Sequence, residues 1–321
     1  MKNKIIELLK NSNSVSIYTH INTDCDAIGS SLALREALLK MGKQVDIFVN
    51  SEFPNNFKFY GDLGFINQKS CKNGYDVSIV LDCANESRLG KYKYTYRKNV
   101  RNSISIDHHI FANEMFCKIN YVKNSSSTCE IMYDILQSLE IEFTSYICKC
   151  LISGILTDTG RLSYSATNKT FKTIGKLLEL GKLTIEEITA PLFKSMEFET
   201  FEMMKKGYQN IEFYSEGKVA ILMFHYSDFV ETNASMDNLN GFSDIALQLE
   251  TVQFSILASE DDKGYFRVSF RSKGDISAKD VAMTFGGGGH TNASGCKIFG
   301  EYEEVKQKLL DSTFQILGWK K

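Results

Sequence analysis

A strand that runs directly into a helix, with charge at the joint, constrains this 321-residue chain more than anything else in it. Residues 15–19, Val-Ser-Ile-Tyr-Thr, have the apolar, β-branched character of a strand. Residues 27–41 carry Ile28, Leu32, Leu34, Leu38 and Leu39 at helical spacing, and Gly42 closes the helix. The same alternation continues. Residues 45–49, 77–81 and 103–106 read as strands, and 128–139 and 146–157 as helices. A chain that alternates in this way predicts an α/β fold around a doubly wound, mostly parallel sheet.

The pattern changes between residues 183 and 208. A charged helix begins at 183–188, Pro191 interrupts it, and 196–206 is charged and helical again. We read 1–185 as one domain, 186–207 as a helical linker and 208–321 as a second, smaller α/β domain. In that second domain residues 218–224, 252–258 and 265–271 are strand-like, and 280–285 and 302–317 helical. No internal repeat or low-complexity tract interrupts this order.

Four segments carry the chemistry. His20-Ile21-Asn22-Thr23-Asp24-Cys25-Asp26-Ala27 leaves the first strand; Leu81-Asp82-Cys83 and Asp107-His108-His109 end two others. Thr157-Asp158-Thr159-Gly160 ends a helix. Ligands of open α/β sheets bind beyond the carboxyl ends of the strands, so the first three converge without special assumption. Gathering Asp24, Asp26, Asp82 and Asp158 puts four negative charges in one pocket, which like-charged carboxylates do not tolerate uncompensated. Two divalent cations would balance them, with neutral His20 and His108 as further ligands. Mixed imidazole and carboxylate donors suit manganese, iron or zinc better than calcium. Two cations are the arrangement used in phosphoester hydrolysis. Taken singly, Asp82 and Asp158 are equally readable as caps or turn formers. Arg88, Arg161 and residues 125–128 flank these motifs and lie within reach of a ligand; His225 matches none of them and reads as structural.

The second domain carries Phe285-Gly286-Gly287-Gly288-Gly289-His290. Consecutive glycines let backbone amides approach a phosphate closely; without His290 they would read as a flexible loop. Before them Arg267, Ser269, Arg271 and Lys273 alternate onto one strand face. Arg271 and Lys273 suit a terminal phosphate, and a solvated strand edge is the plainer alternative.

The 37 basic and 39 acidic side chains leave a net charge of -2, which excludes a broad basic face for long duplex nucleic acid but not a short nucleotide. No apolar run approaches the roughly 20 residues of a membrane helix, and residues 1–10 show no secretory pattern. The eight cysteines form no zinc-type pairs. They read as free thiols in a reducing cytoplasm.

In these motifs and their order the chain resembles the DHH phosphoesterase superfamily over nearly its whole length. Within it, the closest likeness is the NrnA-like branch of bifunctional oligoribonucleases and 3'-phosphoadenosine 5'-phosphate phosphatases. The first half is similar to a DHH domain and the second to a DHHA1 domain. Thr23 and Cys25 stand where the family pattern has proline and glycine, and every ligand position is kept. The resemblance implies two divalent cations, manganese in the first place. One would be held by His20, Asp24 and Asp82, the other by Asp26, Asp82, His108 and Asp158, with Asp82 bridging. It implies that His109 contacts the scissile phosphate and that Asp107 orients its neighbours. Arg271 and His290 would hold the far end of the substrate, with backbone contacts from Gly287, Gly288 and Gly289, as the second domain closes over the cleft. The substrates implied are short RNA or DNA oligonucleotides, dinucleotides and nucleoside bisphosphates, and in some branches cyclic dinucleotides. A homodimer is compatible with the family; a membrane partner is not expected. An inorganic pyrophosphatase is disfavoured by the glycine-rich segment, and a processive single-strand exonuclease by length and charge balance. A non-catalytic nucleotide sensor is disfavoured by the intact ligand set.

Overall fold

The computed structural model describes residues 1–50, 55–71, 74–98, 102–109, 116–239, 241–261 and 264–320. They form two compact units, Met1–Ser195 and Met196–Lys321.

In the first unit α1 (Lys2–Asn11) leads into β1 (Ser14–Tyr18), α2 (Cys25–Lys40) and β2 (Gln44–Phe48). There follow β3 (Val77–Leu81), α3 (Lys93–Lys98), β4 (Asn102–Asp107) and β5 (Ile119–Val122). The unit ends with α4 (Thr128–Ser138), α5 (Ser145–Asp158), α6 (Asn168–Gly181) and α7 (Ile185–Phe193). All five strands are parallel, in the order β2-β1-β3-β4-β5. With β1 between β2 and β3, the winding reverses there, and the carboxyl ends of β1 and β3 flank the switch-point crevice.

Strand alternation sorts the side chains onto two faces. Ile17, Ile79, Leu81, Ile104 and Ile106 enter the core shared with α2, α4 and α5. Tyr18, Phe48 and Val80 point the other way, into a layer completed by Tyr75 and Tyr96. There Tyr18 stacks on Phe48 with ring centres 5.1 Å apart. The central strand β3 is buried at every position, as coverage on both faces requires. Helices α2 and α5 meet through glycine. A methyl on Gly29 would stand 2.5 Å from the Cys150 carbonyl oxygen, and one on Gly154 would overlap Cys129 Sγ.

The stretch read as a linker supplies two helices. α7 belongs to the first unit and α8 (Phe198–Asn210) to the second. Pro191 lies inside α7 rather than breaking it, two residues before the helix ends.

The second unit continues with β6 (Glu212–Tyr214), β7 (Val219–Phe224), α9 (Tyr226–Thr232) and α10 (Phe242–Ile245). Then come β8 (Phe254–Glu260), β9 (Tyr265–Ser272), α11 (Ala278–Thr284), β10 (Gly288–His290), β11 (Ala293–Phe299) and α12 (Tyr302–Leu317). The sheet order is β10-β11-β9-β8-β7-β6, antiparallel except where β7 meets β8. Ile256, Ala258, Val268 and Phe270 face α11 and α12. Ala220, Leu222, Phe224 and Leu257 share the opposite face with α8, α9 and α10. That second apolar cover draws on β7 and β8 and on no residue of β9, β10 or β11. Among the described residues no helix is long and apolar enough to cross a membrane.

Candidate metal centre

The chain leaving β1 is tied into a tight loop. Thr23 Oγ1 donates to the His20 carbonyl at 2.8 Å and lies 3.0 Å from Thr19 Oγ1. Asp24 then caps α2, its Oδ1 accepting from the amides of Asp26 and Ala27 at 3.1 and 3.0 Å. Its Oδ2 is left facing His20 Nε2 at 3.7 Å. One carboxylate therefore starts a helix and offers a ligand atom.

Asp26 is buried, 1% exposed. Its Oδ2 accepts from Thr128 N at 2.7 Å and its Oδ1 from Cys129 N at 2.8 Å. Asp82, just past β3, adopts a left-handed backbone with φ 55°, a conformation Asp accepts more readily than most residues. Its Oδ2 is 3.5 Å from His20 Nε2 and its Oδ1 3.5 Å from His108 Nε2. Asp82 thus stands between the two imidazoles with one oxygen toward each. Asp158, at the last position of α5, brings its Oδ2 to 3.4 Å from His108 Nε2.

Charge in this cluster is unbalanced. Burial, then the charges of Asp82, Asp158 and Asp24, push the Asp26 carboxyl well above the ordinary range. Burial first, then the Asp82 and Asp24 charges against the pull of His108, leave Asp158 pushed up to about 6. Burial opposes protonation of His20, yet its hydrogen bonds to Asp24 and Asp82 prevail and raise it to about 10. The raised Asp26, Asp158 and His20 share one cause, several carboxylates close together, while the His20 hydrogen bond lowers Asp24 against its burial.

Three overlapping donor sets could balance that charge with cations: His20, Asp24 and Asp82; Asp26, His108 and Asp158; and Asp82, Asp107, His108 and His109, which borrows from both. Within each, the ligand atoms lie inside 4.8 Å of one another. The orphaned atom is the test of fit. His108 Nε2 is buried with no hydrogen-bond partner although two carboxylates stand near it. His108, Asp82 and Asp158 would all be satisfied by holding a cation.

Asp107 is otherwise engaged. Its Oδ1 accepts from the amides of His108 and His109 at 2.7 and 3.1 Å and meets His109 Nδ1 at 2.7 Å. That bond, against burial, raises the His109 pKa. His109 is half-exposed, and its Nε2 has no partner among the described residues. Cys25, between two ligand positions, turns into the apolar core. Burial pushes its thiol up to about 12. Arg88 Nη2 lies 3.3 Å from His20 Nδ1, which in turn is 2.6 Å from the Ile21 carbonyl.

In the second unit, register aligns Arg271 with Ala293 and Ala293 with His290. Arg271 and His290 therefore share a sheet face with a small residue between them. Arg271 donates to the Phe270 carbonyl at 3.1 Å and its Nε is 3.6 Å from Asp244 Oδ1. His290 is exposed on the edge strand. Gly288 lies in the same short strand. A side chain on Gly287 would overlap the Gly295 carbonyl, and Gly289 has φ 146° with Ser294 against it. A groove of about 530 Å³ runs beside Arg267, Gly286, Gly287, Gly295 and Lys297. Arg267 is paired with Asp261 at 2.9 Å, and Lys273 donates to the Leu249 carbonyl at 2.8 Å. Neither cation is free as the alternation of β9 suggested.

Sequence reasoning named residues 125–128 as neighbours of a ligand but not as supports of the carboxylates. Thr128 Oγ1 donates to Asp82 Oδ1 at 3.1 Å, beside the two amides on Asp26. The legible signal was Ser125-Ser126-Ser127-Thr128 followed by Glu130, a helix start whose acceptor side chain lies three residues past the cap.

Comparison with known proteins gives a consistent result. Residues 14–155 match the DHH family N-terminal domain and residues 216–318 the DHHA1 domain. A Thermus thermophilus protein named bifunctional oligoribonuclease and PAP phosphatase NrnA is 27% identical, over 93% of this chain and 88% of its own length. The Bacillus subtilis protein of the same name is 26% identical over 97% of each. The crystal structure of an exopolyphosphatase-related protein from Bacteroides fragilis superposes with a TM-score of 0.89 at 24% identity. It covers 98% of this chain and 95% of that one, and it shows the fold.

Proposed function

The chain belongs to the DHH family, its N-terminal DHH domain followed by a DHHA1 domain, and we propose that it hydrolyses phosphoesters of short oligoribonucleotides and 3'-phosphoadenosine 5'-phosphate. The observation that carries the chemistry is Asp82, which offers one carboxylate oxygen to the His20 side of the site and the other to the His108 side. The observation that carries the substrate class is the near-complete alignment with relatives named as oligoribonucleases and PAP phosphatases.

In this reading His20, Asp24 and Asp82 hold one cation and Asp26, Asp82, His108 and Asp158 the other. Divalent cations, manganese by the mixed donor set, would supply charge neutralisation and water activation there. His109, its Nδ1 proton fixed by Asp107, presents Nε2 to a phosphoryl oxygen and stabilises charge developing on it. Arg271 and His290, with the amides of Gly287, Gly288 and Gly289, take the end of the substrate remote from the cleaved bond. Seven of the eight cysteines are buried free thiols, which supports a reducing compartment such as the cytoplasm.

The test is a substrate panel with metal-stripped protein, then with manganese restored. A linear dinucleotide and 3'-phosphoadenosine 5'-phosphate should be hydrolysed only with the cation. Faster turnover of pyrophosphate or of a cyclic dinucleotide would replace this reading with that one.

A further inference from the structure

The start of α4 touches three of the residues proposed to hold cations. Its Thr128 and Cys129 amides take both oxygens of Asp26. Its Thr128 hydroxyl takes Asp82 Oδ1, the oxygen nearer His108. Just before the helix, the Ser125 carbonyl lies 3.3 Å from His108 Nδ1. One short segment, 125–129, thus bears on Asp26, Asp82 and His108 together.

Glu130 holds that segment. It is 1% exposed, and no lysine or arginine pairs with it among the described residues. Its Oε2 accepts from Ser125 Oγ at 2.6 Å, Ser126 N at 3.1 Å and Ser126 Oγ at 2.9 Å. Its own amide donates to Ser127 Oγ at 3.1 Å. A buried carboxylate is costly to leave unpaired; here Oε2 collects three donors and Lys169 acts at longer range, while Oε1 is buried with no hydrogen-bond partner. Four hydrogen bonds join Glu130 to residues 125–127.

We infer that Glu130 is a positioning residue for the site of Asp26, His108 and Asp158. By fixing the turn it aims the Ser125 carbonyl at His108 Nδ1. The proton then stays on Nδ1, and the Nε2 lone pair faces the site. The contacts of this turn reach neither His20 nor Asp24, and on the shared Asp82 they reach Oδ1, the oxygen nearer His108, so the effect falls mainly on the His108 side. The inference rests on the metal reading above.

Calorimetric titration of metal-stripped protein with manganese separates the two claims. Wild type should bind two ions. Glu130→Ala should keep one site unchanged and weaken the other by roughly 10- to 100-fold, the usual effect of losing a partner of a ligating histidine. Glu130→Gln keeps an acceptor oxygen for the serines and should stay close to wild type. If Glu130→Ala does not fold, Ser125→Ala, which removes only the 2.6 Å bond, should weaken the same single site. Two unchanged sites in the variant that folds, or equal loss at both, would overturn the role of Glu130. A wild type that binds no manganese would overturn the metal reading itself.

Discussion

At the level of single residues, the centre divides its carboxylates between main chain and cavity. Asp24 gives Oδ1 to α2 and offers Oδ2; Asp26 rests both oxygens on α4 amides. The cost of crowding them shows in Asp158, whose folded pKa of about 6 exceeds its ordinary 3.8. A carboxyl raised in the fold binds more protons there than in the unfolded chain. Its contribution to stability therefore falls as pH rises from about 4 to 6. The metal-free protein should lose melting temperature across that window, and Asp158→Asn should lose less; parallel curves would mean Asp158 is not strained. His109, bonded to Asp107 at 2.7 Å and 3.6 Å from Asp82 Oδ1, gives a second expectation. His109→Ala should lower kcat while elemental analysis finds the wild-type metal content. The donor residues were legible because His and Asp strings announce themselves by side-chain type. Cys129 was not, and Ser125 was read only as a neighbour of the motifs, because what they contribute is an amide and a carbonyl, which every residue has.

Among the elements, the end of α5 decides whether the site closes. The sequence places Asp158 at a helix terminus, where its direction cannot be read. The packing settles it, since Gly29 and Gly154 let α2 and α5 approach until Asp158 faces His108. Gly154→Ala would press on Cys129 Sγ and stand 3.0 Å from Asp26 Oδ1. Overpacking of this kind costs about 1–3 kcal/mol. The variant should melt lower and bind manganese more weakly, and an unchanged titration would separate the helix contact from the site. The alternating strands and helices of the first unit were plain in the sequence. α6 passed unremarked although Thr170, Thr173, Ile174 and Leu177 repeat at helical spacing. β11 had no such signal. Its Ala-Ser-Gly-Cys start is small and polar, and only pairing with β9 makes it a strand. Of the glycine run, Gly288 and Gly289 joined an edge strand, through a short hairpin with β11.

Over the whole molecule, the residues proposed for chemistry and those proposed for substrate capture lie in different units. One charge-assisted hydrogen bond is worth about 1.5–3 kcal/mol, so Arg271→Ala should lower kcat/KM on a dinucleotide roughly 10- to 150-fold. Hydrolysis of a small generic phosphodiester should change little; equal losses on both would mean Arg271 supports folding instead. The division near residue 195 was visible as charge and proline, but not which side each helix would join. That depended on where α7 and α8 found apolar partners. The separate cores have a thermal consequence. Ile17, Ile79 and Leu151 belong to one core, and Val268, Phe270 and Leu309 to another. Two such bodies need not unfold as one. A scanning calorimeter should then trace two endotherms. Manganese at about a hundred times its dissociation constant adds about 2.7 kcal/mol to whatever body binds it, so only one endotherm should move to higher temperature while its neighbour stays in place.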